Sequence, residues 1–145
     1  MTSQEFGYFH SAAELTEWLL QEKKIAKRGE AAAWMRAHIP NESVYQRAIL
    51  DYLRKERGVW AYKAQAGPYQ RGGVPDIIAC VNGQFYAFEV KRPFLGEASE
   101  LQKATLTGIS AAHGTARVVS FVAEVKAIIC GDTEEAAWPK QKFVI

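Results

Sequence analysis

The chain has 145 residues, a formal net charge of +2 at pH 7, and 48% hydrophobic and 23% charged residues. This length suits one domain rather than two, and the composition is that of a soluble globular protein. No apolar run approaches the about 20 residues needed to cross a bilayer, and we find no signal-peptide pattern, so we expect no membrane association and a cytoplasmic location. Two cysteines, Cys80 and Cys130, lack the CxxC spacing of zinc sites and fit a reducing compartment.

The first predicted elements are two helices near the N-terminus. Ser11 begins a capping-box pattern, and the helix that follows is predicted to end at Gly29. The Ala-rich segment 30–38 predicts a second, shorter helix, which Pro40 stops. We interpret residues 1–40 as an N-terminal helical extension that packs on the core or across a dimer.

The segment 41–130 holds the predicted core, and 131–145 is a tail whose apolar residues indicate that it docks on some surface. Periodicity predicts helices over 41–57, 98–112 and 124–130, and strands over 59–64, 75–81, 84–90 and 116–122. Because the last strand follows a crossover helix, one strand pair should be parallel and the sheet mixed. The fold class is therefore α/β.

A predicted hairpin brings the candidate catalytic residues together. Asn82-Gly83 between two strand-like runs is typical of a type I′ turn, which fixes the register from the Val81–Gln84 pair outward. Asp76 then faces Glu89, and Lys91 lies on the same face of the sheet because side chains alternate. Two carboxylates and an ammonium group should therefore meet at the open end of the hairpin.

Two carboxylates this close repel each other unless a positive charge lies between them. A hard divalent cation with oxygen ligands satisfies that requirement. With Lys91 beside it to position a water, the group has the equipment for metal-assisted hydrolysis of a phosphodiester. On the residues alone, a structural Asp–Lys–Glu cluster at the sheet edge is the alternative.

The same residues carry a family resemblance. Asp76 and Glu89-Val90-Lys91 resemble the signature of the PD-(D/E)XK nucleases. Four ordered motifs are similar to those of the VRR-NUC branch, the virus-type replication-repair nucleases: Glu42-Ser43-x-x-Gln46, Gly72-Gly73-Val74-Pro75-Asp76, Glu89-Val90-Lys91-Arg92-Pro93 and Gln102. The resemblance covers about residues 41–129 and implies a restriction-endonuclease-like core of the order αβββαβ.

The resemblance also implies roles for individual residues. The metal ligands would be Asp76, Glu89, the carbonyl of Val90 and, as a further acid, Glu42. Lys91 would orient or activate the attacking water, and Gln102 would support that arrangement. On the residues alone, the favoured interpretation of Glu42 is a first-turn glutamate that complements the helix dipole, and Gln102 is a surface glutamine of its helix.

Nucleic-acid contacts are predicted at four residues near the site: Lys63, Tyr69, Arg71 and Arg92. An aromatic and an arginine in the Gly-rich loop before Asp76 suit stacking and phosphate binding, although both could be ordinary loop residues. The net charge of +2 does not by itself indicate nucleic acid.

The sequence thus predicts a Mg²⁺- or Mn²⁺-dependent DNA endonuclease. The resemblance implies a homodimer acting on branched DNA, such as four-way junctions or flaps, in a bacterium or a virus-infected cell. The alternatives are a catalytically silent nucleic-acid- or protein-binding module on the same fold, and a sequence-preferring restriction or recombination endonuclease.

Overall fold

The structure, a computed structural model, describes residues 1–64 and 72–131. Its helices are α1 (Ala12–Gln21), α2 (Ala31–His38), α3 (Glu42–Lys55), α4 (Glu100–Ala111) and α5 (Val122–Cys130). Its strands are β1 (Val59–Lys63), β2 (Ile77–Val81), β3 (Gln84–Val90) and β4 (Thr115–Val119). Within these residues, no helix is both long and apolar enough to span a membrane.

The strands form one mixed sheet in the order β1-β2-β3-β4. β1–β2 and β2–β3 are antiparallel and β3–β4 is parallel, which confirms the predicted α/β class and mixed sheet. The predicted hairpin register is also confirmed, because Val81 pairs with Gln84 and Ile77 with Phe88. Asn82 and Gly83 have φ of 49° and 84°, as a type I′ turn requires.

Helices cover both faces of the sheet. α3 packs on β1, β2 and β3 and also contacts α5, whereas α4 packs on β3 and β4 on the opposite face. The larger core lies under α3 and includes the fully buried Tyr45, Ile49 and Phe88. A smaller core of Ala87, Leu106 and Ala116 lies under α4.

The N-terminal segment shares the larger core. Phe6, Leu15, Leu19 and Met35 are all at most 1% exposed and belong to the same buried cluster as Tyr45. Phe6 also makes an edge contact with Trp34, with ring centroids 6.4 Å apart. The segment therefore packs directly on the core, while the predicted tail from residue 132 lies outside the described residues.

Helix α1 ends at Gln21, so the prediction that it continues to Gly29 is wrong. Lys23 adopts a left-handed φ of 54°, and the amides of Lys24 and Ile25 both donate to the carbonyl of Leu19. The chain reverses there because this turn buries Ile25, which is 8% exposed, in the core.

Strand β4 ends at Val119, three residues earlier than predicted. The Glu124 carboxylate accepts hydrogen bonds from the amides of Ser120 and Phe121, at 3.1 and 3.0 Å. These bonds cap the amino end of α5, so the helix begins at Val122 and the strand cannot continue. The apolar run is thus divided between the end of a strand and the start of a helix.

Candidate active site

Asp76 and Glu89 meet at the open end of the β2–β3 hairpin. Asp76 directly precedes β2, and its Oδ2 accepts a hydrogen bond of 2.7 Å from the amide of Val90. Its own carbonyl accepts from the amide of Ala64 at 2.8 Å, which ties it to the end of β1. The aspartate is therefore fixed by backbone on both sides.

Pro75 has a specific consequence for the carbonyl of Val90. Continuing the observed register two residues beyond the Ile77–Phe88 pair sets Pro75 opposite Val90. Hydrogen-bonded and non-hydrogen-bonded pairs alternate along an antiparallel ladder, and Pro75–Val90 falls at a hydrogen-bonded position. There the N–H and C=O of Val90 both point toward the partner strand, as the bond from the Val90 amide to Asp76 shows. Proline has no N–H to donate, so the ladder cannot occupy the Val90 carbonyl from that position. The Val90 carbonyl, beside Asp76, therefore receives no backbone hydrogen bond from Pro75 and could serve as an oxygen ligand.

Glu89 is buried beside a cation and an amide. The residue is 1% exposed, and its Oε1 lies 3.5 Å from Lys91 Nζ and accepts from Gln102 Nε2 at 2.9 Å. Its Oε2 is buried and forms no hydrogen bond of ordinary geometry within the described part of the chain. A buried carboxylate oxygen without a partner is costly unless a ligand completes it.

The electrostatics of the pair favour a proton or a cation. Burial, contact with the Asp76 carboxyl and the negative charge of Asp76 raise the pKa of Glu89 to about 8, against the opposing influence of the Lys91 ammonium. Burial disfavours the ionised form of a carboxyl, and so does a nearby like charge.

The orientation of Gln102 is set by its helix cap. Ser99 Oγ accepts from the Gln102 amide at 3.2 Å, and Gln102 Oε1 accepts from the Ser99 amide at 2.8 Å. This reciprocal capping box holds the side-chain oxygen at the helix end and directs Nε2 toward Glu89. Ser99 is thus a positioning residue, and the spacing Ser99-x-x-Gln102 is the signal for it in the sequence.

The backbone of Lys91 is held by the end of β4. Its amide donates to the carbonyl of Val119 at 2.9 Å, and its carbonyl accepts from Ser120 Oγ at 2.7 Å. The side chain is 12% exposed. An ammonium in this position is partly desolvated and available to a ligand beside Glu89.

A divalent metal ion fits this arrangement. Asp76, Glu89 and the Val90 carbonyl are all oxygen donors, which suit Mg²⁺ or Mn²⁺. The unpartnered Oε2 of Glu89 and the mutual repulsion of the two carboxylates are what a cation would resolve. These residues could therefore hold the predicted metal.

A solved structure described as a VRR-NUC domain superposes on this chain with a TM-score of 0.52. The two sequences are 19% identical, and the match covers 61% of this chain and 92% of the other. The chain has the fold of a VRR-NUC domain. No protein-family model and no curated protein matches the sequence. At this identity the similarity establishes the fold, which confirms the fold expected from the motifs.

Glu42 stands apart from the carboxylate pair in this VRR-NUC fold. It is half-buried at the first residue of α3 and accepts a 3.3 Å hydrogen bond from Gln46 Nε2. Across residues 1–64 and 72–131, no three Asp, Glu, His or Cys side chains are grouped closely enough to hold a metal ion. The structure thus brings together Asp76 and Glu89, and the metal-binding role of Glu42 stays a prediction.

The predicted nucleic-acid contacts have different surroundings in the VRR-NUC fold. Lys63 is exposed at the end of the edge strand β1. The guanidinium of Arg92 donates to the carbonyls of Pro40 at 3.1 Å, Arg36 at 2.8 Å and Ile39. Sequence reasoning missed this link between β3 and the end of α2. Two other predicted contacts, Tyr69 and Arg71, lie outside the described residues.

Proposed function

We propose that the protein is a metal-dependent endonuclease that hydrolyses DNA phosphodiester bonds and selects branched structures, such as flaps or four-way junctions. The observation that carries the proposal is the buried Glu89 carboxylate against Asp76, with the Lys91 ammonium 3.5 Å from its Oε1. The fold, that of a VRR-NUC domain, supports it.

Asp76, Glu89 and the Val90 carbonyl would hold the metal, with Glu42 as a further acid. When bound, Mg²⁺ or Mn²⁺ neutralises charge on the phosphodiester and lowers the pKa of a water molecule. Gln102 keeps the Glu89 carboxylate in one orientation through its 2.9 Å hydrogen bond. Asp76 is held by the Val90 amide, so little reorganisation is needed during the reaction.

Lys91 would act on the attacking water and on the developing charge. An ammonium group has three donors, and contact with Glu89 Oε1 engages one of them. The other donors can orient a water for attack and stabilise negative charge on a phosphoryl oxygen. In-line attack would leave a 5′-phosphate and a 3′-hydroxyl, as the family resemblance implies.

A homodimer would suit a substrate with two equivalent strands. A four-way junction is symmetric and needs two cuts, which two active sites related by a two-fold axis can make. We further propose that the enzyme works in replication, recombination or repair in the cytoplasm of a bacterium or a virus-infected cell.

Cleavage of a labelled panel would test the proposal. The panel contains duplex, single strand, flap, splayed arm, four-way junction and single-stranded RNA, each with Mg²⁺, Mn²⁺ or EDTA, and Lys91→Ala runs beside the wild type. We expect metal-dependent cutting of a branched form that the variant does not make. Folded wild-type protein that cuts nothing would refute the nuclease and favour a binding module.

A further inference from the structure

We infer that exposed aromatic residues on β1 form a stacking platform for an unpaired nucleic-acid strand that leads to the carboxylate pair. This aromatic strip consists of Trp60 and Tyr62. The inference rests on the proposed function and narrows its substrate class to branched forms with a single-stranded arm, such as flaps and splayed arms.

The strip lies on the same face of the sheet as the carboxylates. Tyr62 pairs with Ile78, which pairs with Ala87, so these three share a face. Ala87 lies under α4, and Glu89, two residues further along β3, points to the same side and contacts Gln102 of α4. A strand lying along β1 would therefore reach Glu89 without crossing the sheet.

The aromatic rings of the strip are open to solvent. Trp60 is 65% exposed and Tyr62 is 43% exposed, with ring centroids 5.4 Å apart and planes tilted by 49°. Phe85, 46% exposed, extends the surface across Cys80 in the same row as Trp60. Helix α4 packs on the same face, but over β3 and β4 at the opposite edge of the sheet, so it does not cover β1. A cluster of neighbouring exposed rings is typical of a binding surface.

Unpaired bases are the occupant that these rings favour. Bases stack on successive aromatic side chains with little dependence on sequence, because every base has a π-face. On the face of β1, β2 and β3 that carries the strip, Glu89 is the one charged side chain, so these strands place no other acid between the strip and the carboxylate pair. Lys63 directly follows Tyr62 and is exposed, but its side chain starts on the opposite face of β1, so the rings rather than this lysine would hold the strand.

The strip ends at the proposed active site. The residue after Lys63, Ala64, donates its amide to the Asp76 carbonyl at 2.8 Å. Tyr62 therefore stands two residues along β1 from the point where β1 meets Asp76. Bases stacked on Tyr62 and then Trp60 would hold the strand on one side of the phosphodiester to be cut.

Binding measured without metal tests the platform separately from catalysis. The full-length protein in EDTA is titrated into fluorescein-labelled oligothymidine and into a closed hairpin duplex, followed by anisotropy. We expect Trp60→Ala with Tyr62→Ala to weaken oligothymidine binding at least about tenfold. The hairpin duplex should bind with unchanged affinity. Trp60→Phe should retain most of the affinity, and Tyr8→Ala, a 77% exposed tyrosine outside the sheet, should have no effect.

A second measurement needs no substitution in the strip. Cys80 lies between Trp60 and Phe85, and Cys130, at the end of α5, is also exposed. Oligothymidine should slow alkylation of Cys80 and leave the rate at Cys130 unchanged. Equal rates at Cys80 with and without oligothymidine would overturn the inference.

The outcomes separate this inference from the proposed function. Unchanged oligothymidine affinity in the folded double variant would overturn the platform, whatever the enzyme cleaves. A dimer that becomes monomeric in the double variant would also overturn it, since the strip would then be a contact between subunits. Strip-dependent binding by a protein that cleaves no substrate would support the platform and refute the nuclease.

Discussion

At Glu89, the surroundings of one carboxyl group oppose its ionisation. Burial, contact with Asp76 and the charge of Asp76 raise its pKa to about 8, although Lys91 acts in the opposite direction. A group shifted in this way favours folding when protonated and opposes it when ionised. A bound cation would remove that opposition, because it binds the ionised form.

The metal-free protein should therefore lose stability as pH rises. The folded-state pKa of Glu89 lies above its ordinary value of 4.5, so the contribution is fully present below about pH 4.5 and is lost as pH rises through about 8. Denaturant unfolding in EDTA at several pH values measures it. Glu89→Gln should remove this part of the pH dependence. Parallel stability curves for the two proteins would contradict the expectation.

Lys91→Ala should remove cleavage and leave the fold intact. The side chain supplies the donors proposed to act on the attacking water, so we expect at least about a 100-fold loss of rate. Circular dichroism and DNA-binding anisotropy should match the wild type closely. A variant that cleaves at the wild-type rate would refute the proposed role of Lys91.

At the scale of elements, the hydrogen bonds that cap α4 also orient the Glu89 carboxylate, because both involve the side chain of Gln102. Ser99 and Gln102 exchange hydrogen bonds across the first turn of α4. The side-chain Nε2 of Gln102, which these bonds do not use, donates to Glu89. Arg92, which follows β3 closely in the chain, makes a comparable link. Its guanidinium donates to carbonyls at, and just beyond, the carboxyl end of α2. A carbonyl in the last turn of a helix, such as that of Arg36, has no partner within its own helix.

Ser99→Ala should lower stability and also weaken activity. Loss of a helix cap costs about 1 kcal/mol, and Gln102 would no longer be held toward Glu89. Ser11→Ala is the matched control, because Ser11 Oγ accepts from the Glu14 amide of α1 at 3.1 Å. Urea unfolding should show similar losses in both variants. Cleavage should fall only in Ser99→Ala, and equal activity in the two would exclude the positioning role.

Arg92→Ala should detach the end of α2 from β3. Hydrogen bonds to a charged group contribute about 2 kcal/mol, so we expect a loss of roughly that size in the free energy of unfolding. Arg92→Lys should recover only part of it, since an ammonium cannot reproduce the planar fork of donors. Arg117→Ala, at an exposed arginine of β4, serves as the control. Equal unfolding midpoints for Arg92→Ala and Arg117→Ala would show that the link is energetically unimportant.

At the scale of the whole molecule, the N-terminal segment and the sheet share one hydrophobic core. Phe6, Leu15, Leu19 and Met35 are buried in the same cluster as Tyr45 and Phe121. A core built this way has no internal boundary at which the first 40 residues could separate without exposing apolar surface.

Deletion of residues 1–40 should therefore abolish cooperative folding. Each fully buried large apolar side chain contributes about 1.5–3 kcal/mol, and four or more are removed together. That sum is comparable with the whole stability of a domain, about 5–15 kcal/mol. Thermal unfolding followed by circular dichroism would show no transition. A sharp transition would instead support an independently folding core.

The sequence by itself determined the hairpin and the meeting of Asp76 with Glu89. Asn82-Gly83 sets a local turn, and the two-residue period of a strand carries its register to the open end without help from distant residues. The apolar stripe of α3 and the crossover through α4 likewise follow from short-range pattern. These features are predictable because each depends on residues close together in the chain.

Only the tertiary structure decided the surroundings of those residues. α1 ends at Gln21 because Ile25 enters the core, and Arg92 binds the carbonyl of Pro40, 52 positions earlier in the chain. The exposure of Trp60 depends on where α4 packs, and the pKa of Glu89 depends on burial beneath that same helix. Contacts between segments remote in sequence set these properties, so local pattern could not predict them.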